Sequence, residues 1–182
     1  MEDKICVFDL DGTLWKENSH VDIVQKYNNT CEVGKKIEKV FALFFPNLYL
    51  KYLLERYNKV PFDFIQDYEP PFRKSAIEIF EDKAADGYQI ICISNAPLEI
   101  IKKAGERLGI KAYKAPIGKK DIILKEKYIT WNKLVVVTDN VSDESILKLS
   151  DEAYIYTTKN RKRYFTRMKL TSYIRYIDYN KE

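Results

Sequence analysis

The sequence predicts an α/β protein: a doubly wound parallel sheet with a small α-helical insertion after its first strand. Three observations predict it. Short β-branched runs recur along the chain with little polar interruption, as strands buried on both faces of a parallel sheet require. Helix-like segments alternate with them, which is the pattern of βαβ units. Between Trp15 and about Tyr68 that alternation stops, and helical periodicity replaces it.

Taken in order, Lys4–Phe8, Gln89–Ile93, Leu134–Thr138 and Ala153–Tyr156 are the strands, with a shorter one at Lys111–Lys114. Phe72–Ala85 is a helix that opens after Pro70-Pro71 and closes before Gly87. Pro97–Leu108 has proline in its first turn and Gly109 beyond its end. Lys120–Glu126 and Asp143–Leu149 are shorter helices. Inside the insertion, Val33–Phe44 and Leu48–Tyr57 carry helical periodicity, broken at Pro46-Asn47. Its aromatic load (Phe41, Phe44, Phe45, Tyr49, Tyr52, Tyr57) is read as the insertion's own core rather than as a surface for an apolar ligand or a membrane. The core then comprises residues 1–14 and 70–182, and the insertion 15–69.

A chain of 182 residues holds one good core and a small accessory unit. Lys and Arg exceed Asp and Glu by four, a mild basic excess that does not point to nucleic acid. Acids follow Met1 and the opening apolar stretch is short, so no signal peptide is expected. The longest apolar run, Val40 to Leu50, is interrupted and too short to span a bilayer. Cys6 and Cys92 fall in predicted strands and Cys31 in a polar stretch. No pair has metal-site spacing, so reduced thiols and a cytoplasmic location are expected.

The chemistry gathers at strand ends, where open α/β sheets bind their ligands. The first strand runs into Asp9-Leu10-Asp11-Gly12-Thr13. Residues two apart on a strand point the same way, so both acids are expected on one side, with Gly12 freeing the turn. Carboxylates this close repel and drive their pKa values apart, unless a divalent cation or a shared proton relieves them. The second strand runs into Ser94-Asn95-Ala96-Pro97, directly before a helix. A later one runs into Asp139-Asn140-Val141-Ser142-Asp143, and Gly118-Lys119-Lys120-Asp121 lies near a helix start.

Carboxylates, a hydroxyl with helix N-terminal amides, and a lysine suit metal-assisted reaction of a phosphate ester. Bare carboxylates repel a phosphoryl dianion, so a hard cation with oxygen ligands, Mg²⁺, belongs between them. Amides after Ser94 and its hydroxyl can hold phosphate oxygens. A lysine adds fixed positive charge, and an ionised Asp can attack phosphorus to give an acyl phosphate.

These four segments, in this order, resemble the four motifs of the haloacid dehalogenase superfamily, nearest its phosphoserine-phosphatase-like subgroup. The insertion is similar in position and character to that superfamily's helical cap. The resemblance covers Lys4–Leu14 and about Phe72–Thr157. It implies a Mg²⁺-dependent phosphatase acting on a small phosphorylated metabolite. Asp9 would be the nucleophile, transiently phosphorylated, and Asp11 the acid and then the base. Mg²⁺ would be held by the Asp9 side chain, the Asp11 carbonyl and the Asp139 side chain, with Asp143 supporting its water shell. Ser94 and Asn95 would bind the phosphoryl group, and Thr13 would order the first loop. The lysine is Lys119 or Lys120. Ile123 and Leu124 favour Lys120, as apolar residues follow the family's lysine, and Lys125 is a third choice. Haloacid-cleaving members lack a carboxylate at the position of Asp11, and ion-pumping members carry threonine, so Asp11 points to phosphate esters.

Three rivals differ in class. A phosphotransferase would share every residue and pass the phosphoryl group to a second substrate instead of water. A catalytically silent binding module would not need every motif position filled, as they are here. A receiver domain lacks the insertion and the Asp-Gly-Thr loop. His20, Trp15, Glu17 and Asp22 lie at the entrance to the insertion, where packing competes with substrate contact. The basic run Lys159 to Arg163 is read as a solvated face, and no nucleic-acid partner or membrane span is expected. Which phosphomonoester is taken, and the oligomeric state, are not legible.

Overall fold

A computed structural model describes residues 4–179. By its contacts the chain divides into two compact units, Met1–Lys16 with Pro71–Glu182, and Glu17–Pro70.

The first unit is built on six parallel strands in the order β3-β2-β1-β4-β5-β6. β1 is Lys4–Phe8 and lies at the centre. The second unit follows it directly and holds α1 (Ser19–Tyr27), α2 (Glu32–Phe44), α3 (Pro46–Tyr57) and α4 (Phe62–Gln66). The chain then returns through α5 (Lys74–Ala85), β2 (Gln89–Ser94), α6 (Leu98–Leu108), β3 (Lys111–Lys114) and α7 (Lys120–Lys127). It ends with β4 (Lys133–Thr138), a 3₁₀ turn at Val141–Asp143, α8 (Glu144–Leu147), β5 (Glu152–Thr157), α9 (Lys159–Arg167) and β6 (Tyr173–Asp178).

Period-two alternation splits the four inner strands between two buried faces. Ile5, Val7, Ile91, Ile93, Leu134, Val136 and Ile155 face a core closed by Leu124 of α7, Leu147 of α8 and Phe165 of α9. On the other face Phe8 meets Phe80 of α5, with ring centroids 6.0 Å apart. A Cβ on Gly105 of α6 would stand 2.7 Å from the Cβ of Ala112, so glycine lets this helix lie close to β3. The sheet grows outward in both directions from β1 and β4, and the crevice beyond their carboxyl ends is its switch point.

Four elements were not predicted: α1, α4, α9 and β6. α9 is dominated by charge, and β6 interrupts its apolar residues with Arg175, as an exposed edge strand permits. The predicted helix Asp143–Leu149 is instead the 3₁₀ turn followed by the single turn of α8.

The helical unit corrects one expectation. Its aromatic residues are not all its core. Phe41 does sit among Phe45, Tyr49 and Tyr52, with ring centroids 5.9, 5.9 and 6.1 Å away. Tyr57 is buried, but Phe44 and Phe45 are exposed, and α2 buries no residue. Proline opens α3 and forces the sharp corner after α2, which leaves these two rings at the corner in solvent. Among the described residues no helix is long and apolar enough to cross a membrane.

Candidate active site

The first loop is set by the ladder it leaves. The Asp9 amide still donates to the Val137 carbonyl of β4 (2.9 Å), which fixes Asp9 at the sheet's upper edge. Its own Oδ1 accepts from the Leu10 amide at 2.8 Å. The chain then turns, with the Thr13 and Trp15 amides donating back to the Leu10 carbonyl at 3.2 and 2.9 Å. Asp11 therefore lies within a turn, bridged to Trp15, and not on the strand as the period-two argument supposed. Both acids are buried.

Gly12 has φ +74°, and a Cβ there would lie 2.5 Å from Cγ of Asp139. Only glycine allows this backbone to pass so close to the carboxylate at the end of β4. Arg73, just before α5, secures the loop from beneath. Its amide donates to the Leu14 carbonyl at 2.8 Å, and Nη2 donates to the Gly12 carbonyl at 3.3 Å. The guanidinium is clamped between the rings of Tyr156 and Tyr179, 4.7 and 4.6 Å from their centroids.

Of the two adjacent lysines, Lys120 reaches the acids. Buried at the first turn of α7, its Nζ is 2.9 Å from Asp9 Oδ1 and 2.7 Å from Asp143 Oδ2. Burial opposes its charge, but Asp9 and Asp143 outweigh that and hold the ammonium above its ordinary range. Lys119 is exposed at the N-terminus of the same helix and does not join the cluster. Lys125 faces away and lies 3.8 Å from Asp121.

Asp143 also accepts from the Thr138 hydroxyl at 2.6 Å, and that hydroxyl in turn accepts from the Asn140 amide at 3.0 Å. Thr138 thus ties the end of β4 to the 3₁₀ turn and to Lys120. Burial and the nearby Asp9 charge push the Asp143 carboxyl up, against Lys120. Asp139 is pushed up to about 7, chiefly by burial and then by Asp9, while Arg161 and Lys120 pull the other way. Arg161 of α9 places Nη1 3.7 Å from Asp139 Oδ2 and donates from Nη2 to its carbonyl at 3.3 Å.

Ser94 closes β2 fully buried, and its hydroxyl accepts from the Ala96 amide at 3.4 Å. Asn95 is half-buried beside it, ahead of α6. The Thr13 hydroxyl is buried with no hydrogen-bond partner among the described residues. Cys92, one residue below Ile93 on β2, is buried, and burial pushes its thiol up, against thiolate formation.

Other candidates pack elsewhere. Trp15 stacks on Phe72 at 6.2 Å, and within the helical unit His20 packs on Tyr57 at 5.0 Å. Asp22 accepts from Tyr68 at 2.8 Å and pairs with Lys26 at 2.9 Å, whereas Glu17 is exposed. Arg73, Thr138 and Arg161 were missed in the sequence. Arg161 lies within a basic run that reads as a solvated face, nothing near Arg73 announces a partner as distant as Gly12, and nothing in the sequence marks the Thr138 side chain as a partner of Asp143.

The carboxylates here outnumber their cations, and the donor set is all oxygen, which suits a hard divalent ion such as Mg²⁺. Among the described residues no three His, Cys, Asp or Glu side chains are grouped to hold a metal ion. A cation at this place would therefore draw on main-chain oxygen as well as on carboxylates.

The sheet order, the position of the helical unit and the switch-point site define the haloacid-dehalogenase-like fold. Solved structures with it match most of the chain. One is a phospho-aspartyl intermediate analogue of phosphoserine phosphatase, 18% identical with TM-score 0.70, over 97% of this chain and 94% of that one. A phosphoserine phosphohydrolase-like protein from Francisella tularensis is 18% identical, with TM-score 0.66 over 94% of each chain. A family hydrolase from Salmonella enterica is 12% identical with TM-score 0.63, over 98% of this chain and 68% of that one. No family model and no curated protein matches the sequence.

Proposed function

We propose that this chain is a Mg²⁺-dependent phosphatase that hydrolyses a small phosphomonoester through a phosphorylated Asp9. The observation that carries the reading is the Asp9–Lys120–Asp143 chain of contacts at 2.9 and 2.7 Å, placed at the switch point of this fold. The likeness to a phospho-aspartyl analogue of phosphoserine phosphatase supports it.

The carboxylates of Asp9 and Asp139 and the main-chain carbonyl of Asp11 would hold the cation. When bound, Mg²⁺ offsets the repulsion between these acids and the substrate's phosphoryl oxygens. Lys120 adds a fixed positive charge beside the reacting oxygen. The amides after Ser94, its hydroxyl and Asn95 hold the phosphoryl oxygens in line with Asp9. A carboxylate oxygen of Asp9 then forms a bond to phosphorus as the ester P–O bond breaks. Asp11 gives its proton to the departing alkoxide. In the second step Asp11 takes a proton from water, whose oxygen attacks phosphorus. The Asp9–phosphorus bond breaks, inorganic phosphate leaves and Asp9 is restored. Asp143 and Thr138 keep Lys120 in place, and Asp143 would support the hydration of a bound cation. The free cysteines Cys6, Cys31 and Cys92 suit a cytoplasmic setting.

The test is hydrolysis of p-nitrophenyl phosphate with Mg²⁺ and with EDTA. Turnover that needs the metal, and a phosphate adduct on the Asp9 peptide after an acid quench, are expected. Metal-independent turnover, or an adduct on another residue, would overturn the assignment.

A further inference from the structure

α2 has three faces, and only one is packed within its unit. Gln25 of α1 donates to Glu38 at 2.6 Å, and Phe41 lies among the α3 rings, so that side is occupied. The 3.6-residue turn aligns Val33, Ile37, Val40 and Phe44 on a second face. They are 65, 64, 56 and 69% exposed. The corner into α3 prolongs this strip with Leu43 and Phe45, 75 and 58% exposed. A continuous apolar strip of this length is not an ordinary feature of a soluble surface.

The third face is basic. Lys35, Lys36 and Lys39 run along one flank of the strip, and the acid there, Glu32, is 2.7 Å from Lys35. An apolar strip edged by lysines fits a surface with apolar depth beneath a negative skin. Lysine stems extend along apolar material while their heads reach anionic groups.

We propose that the helical unit docks on an anionic lipid bilayer, with the α2 strip and the α2–α3 corner entering the interface. A second copy of the chain fits less well. Antiparallel two-fold pairing through this strip would set each lysine flank against its twin. The proposal does not depend on the phosphatase reading, because its readout is lipid binding.

The test is flotation of the whole protein with phosphatidylcholine vesicles, with and without phosphatidylglycerol. Binding at least tenfold stronger to the anionic vesicles is expected. Ile37→Asp with Phe44→Asp should lower it at least tenfold with the circular dichroism spectrum retained. Lys36→Ala with Lys39→Ala should weaken it by roughly fivefold per lysine and remove most of its salt sensitivity. Absence of flotation with either vesicle, or binding that both double variants leave unchanged, would overturn the proposal. So would a lipid-free dimer in sedimentation that Ile37→Asp with Phe44→Asp dissolves.

Discussion

The sheet holds a buried lysine at each of its two ends, and the two are charged against carboxylates in opposite proportion. At the amino end, Lys83 of α5 is 2.6 Å from Glu152 at the start of β5, and Arg175 of β6 lies 3.4 Å from the same carboxylate. Two cations close on one acid there, and the rings of Tyr88 and Tyr154 lie 5.3 and 5.4 Å from the ammonium. At the carboxyl end, Lys120 alone bridges Asp9 and Asp143, with Asp139 close by. The first group is complete in itself. The second carries surplus negative charge in a buried place, which is unfavourable unless a cation joins it. A lysine–carboxylate contact is therefore no mark of function by itself. The imbalance around it is.

The sharpest break of this comparison is to delete each lysine. Lys120→Met should lower turnover of an aryl phosphate by about a thousandfold or more, in line with the loss of one fixed charge at a reacting oxygen. Lys83→Met should leave turnover within about twofold. Its effect should be on stability, a loss of about 1–2 kcal/mol in denaturant unfolding, below that of breaking a fully buried pair because Glu152 keeps Arg175. Equal losses of turnover in the two variants would erase the distinction between the ends.

The same contrast explains which features are legible in the sequence. Asp9, Ser94, Lys120 and Asp139 are legible because each follows an apolar run or opens a helix, and the site collects such ends. Lys120 over Lys119 was favoured by the apolar residues after it, and burial separates the two. Arg73 and Thr138 were not legible, since their partners, the Gly12 carbonyl and Asp143, matter only once the loops meet. In the fold, β1, β2, β4 and β5 announce themselves by apolar runs, as strands covered on both faces do, while the edge strand β3, Lys-Ala-Tyr-Lys, gives only a weak signal. β6 gives none, because an edge strand alternates and tolerates Arg175. The insertion's aromatic residues misled for a related reason: periodicity shows which residues share a face, not whether anything covers it.

A smaller effect comes from acid. Burial raises the Glu152 carboxyl, but hydrogen bonds from Lys83 and Tyr154 and the charges of Lys83 and Arg175 together outweigh it and leave the carboxyl below its ordinary value of 4.5. A depressed carboxyl contributes stability above its unfolded pKa and loses it as pH falls through the folded one. The stability gap between the wild type and Glu152→Gln should thus be constant at neutral pH and shrink below about pH 4. A gap that widens in acid would mean that Glu152 is not held ionised by Lys83.

The smallest effect separates neighbours on one helix. Lys119→Ala removes a charge one residue from the active cluster, so a field effect at a distance would still register. Its side chain is exposed, however, and water and salt screen what it contributes at Asp9. Turnover should change by less than about twofold, and that change should fade as salt is raised. Its carbonyl, which accepts from the Ile122 amide at 3.2 Å and the Ile123 amide at 3.4 Å, survives the substitution and keeps the first turn of α7. Lys120 is then still carried to Asp9. A loss as deep as that of Lys120→Met would show that both lysines reach the substrate, and that burial does not decide between them.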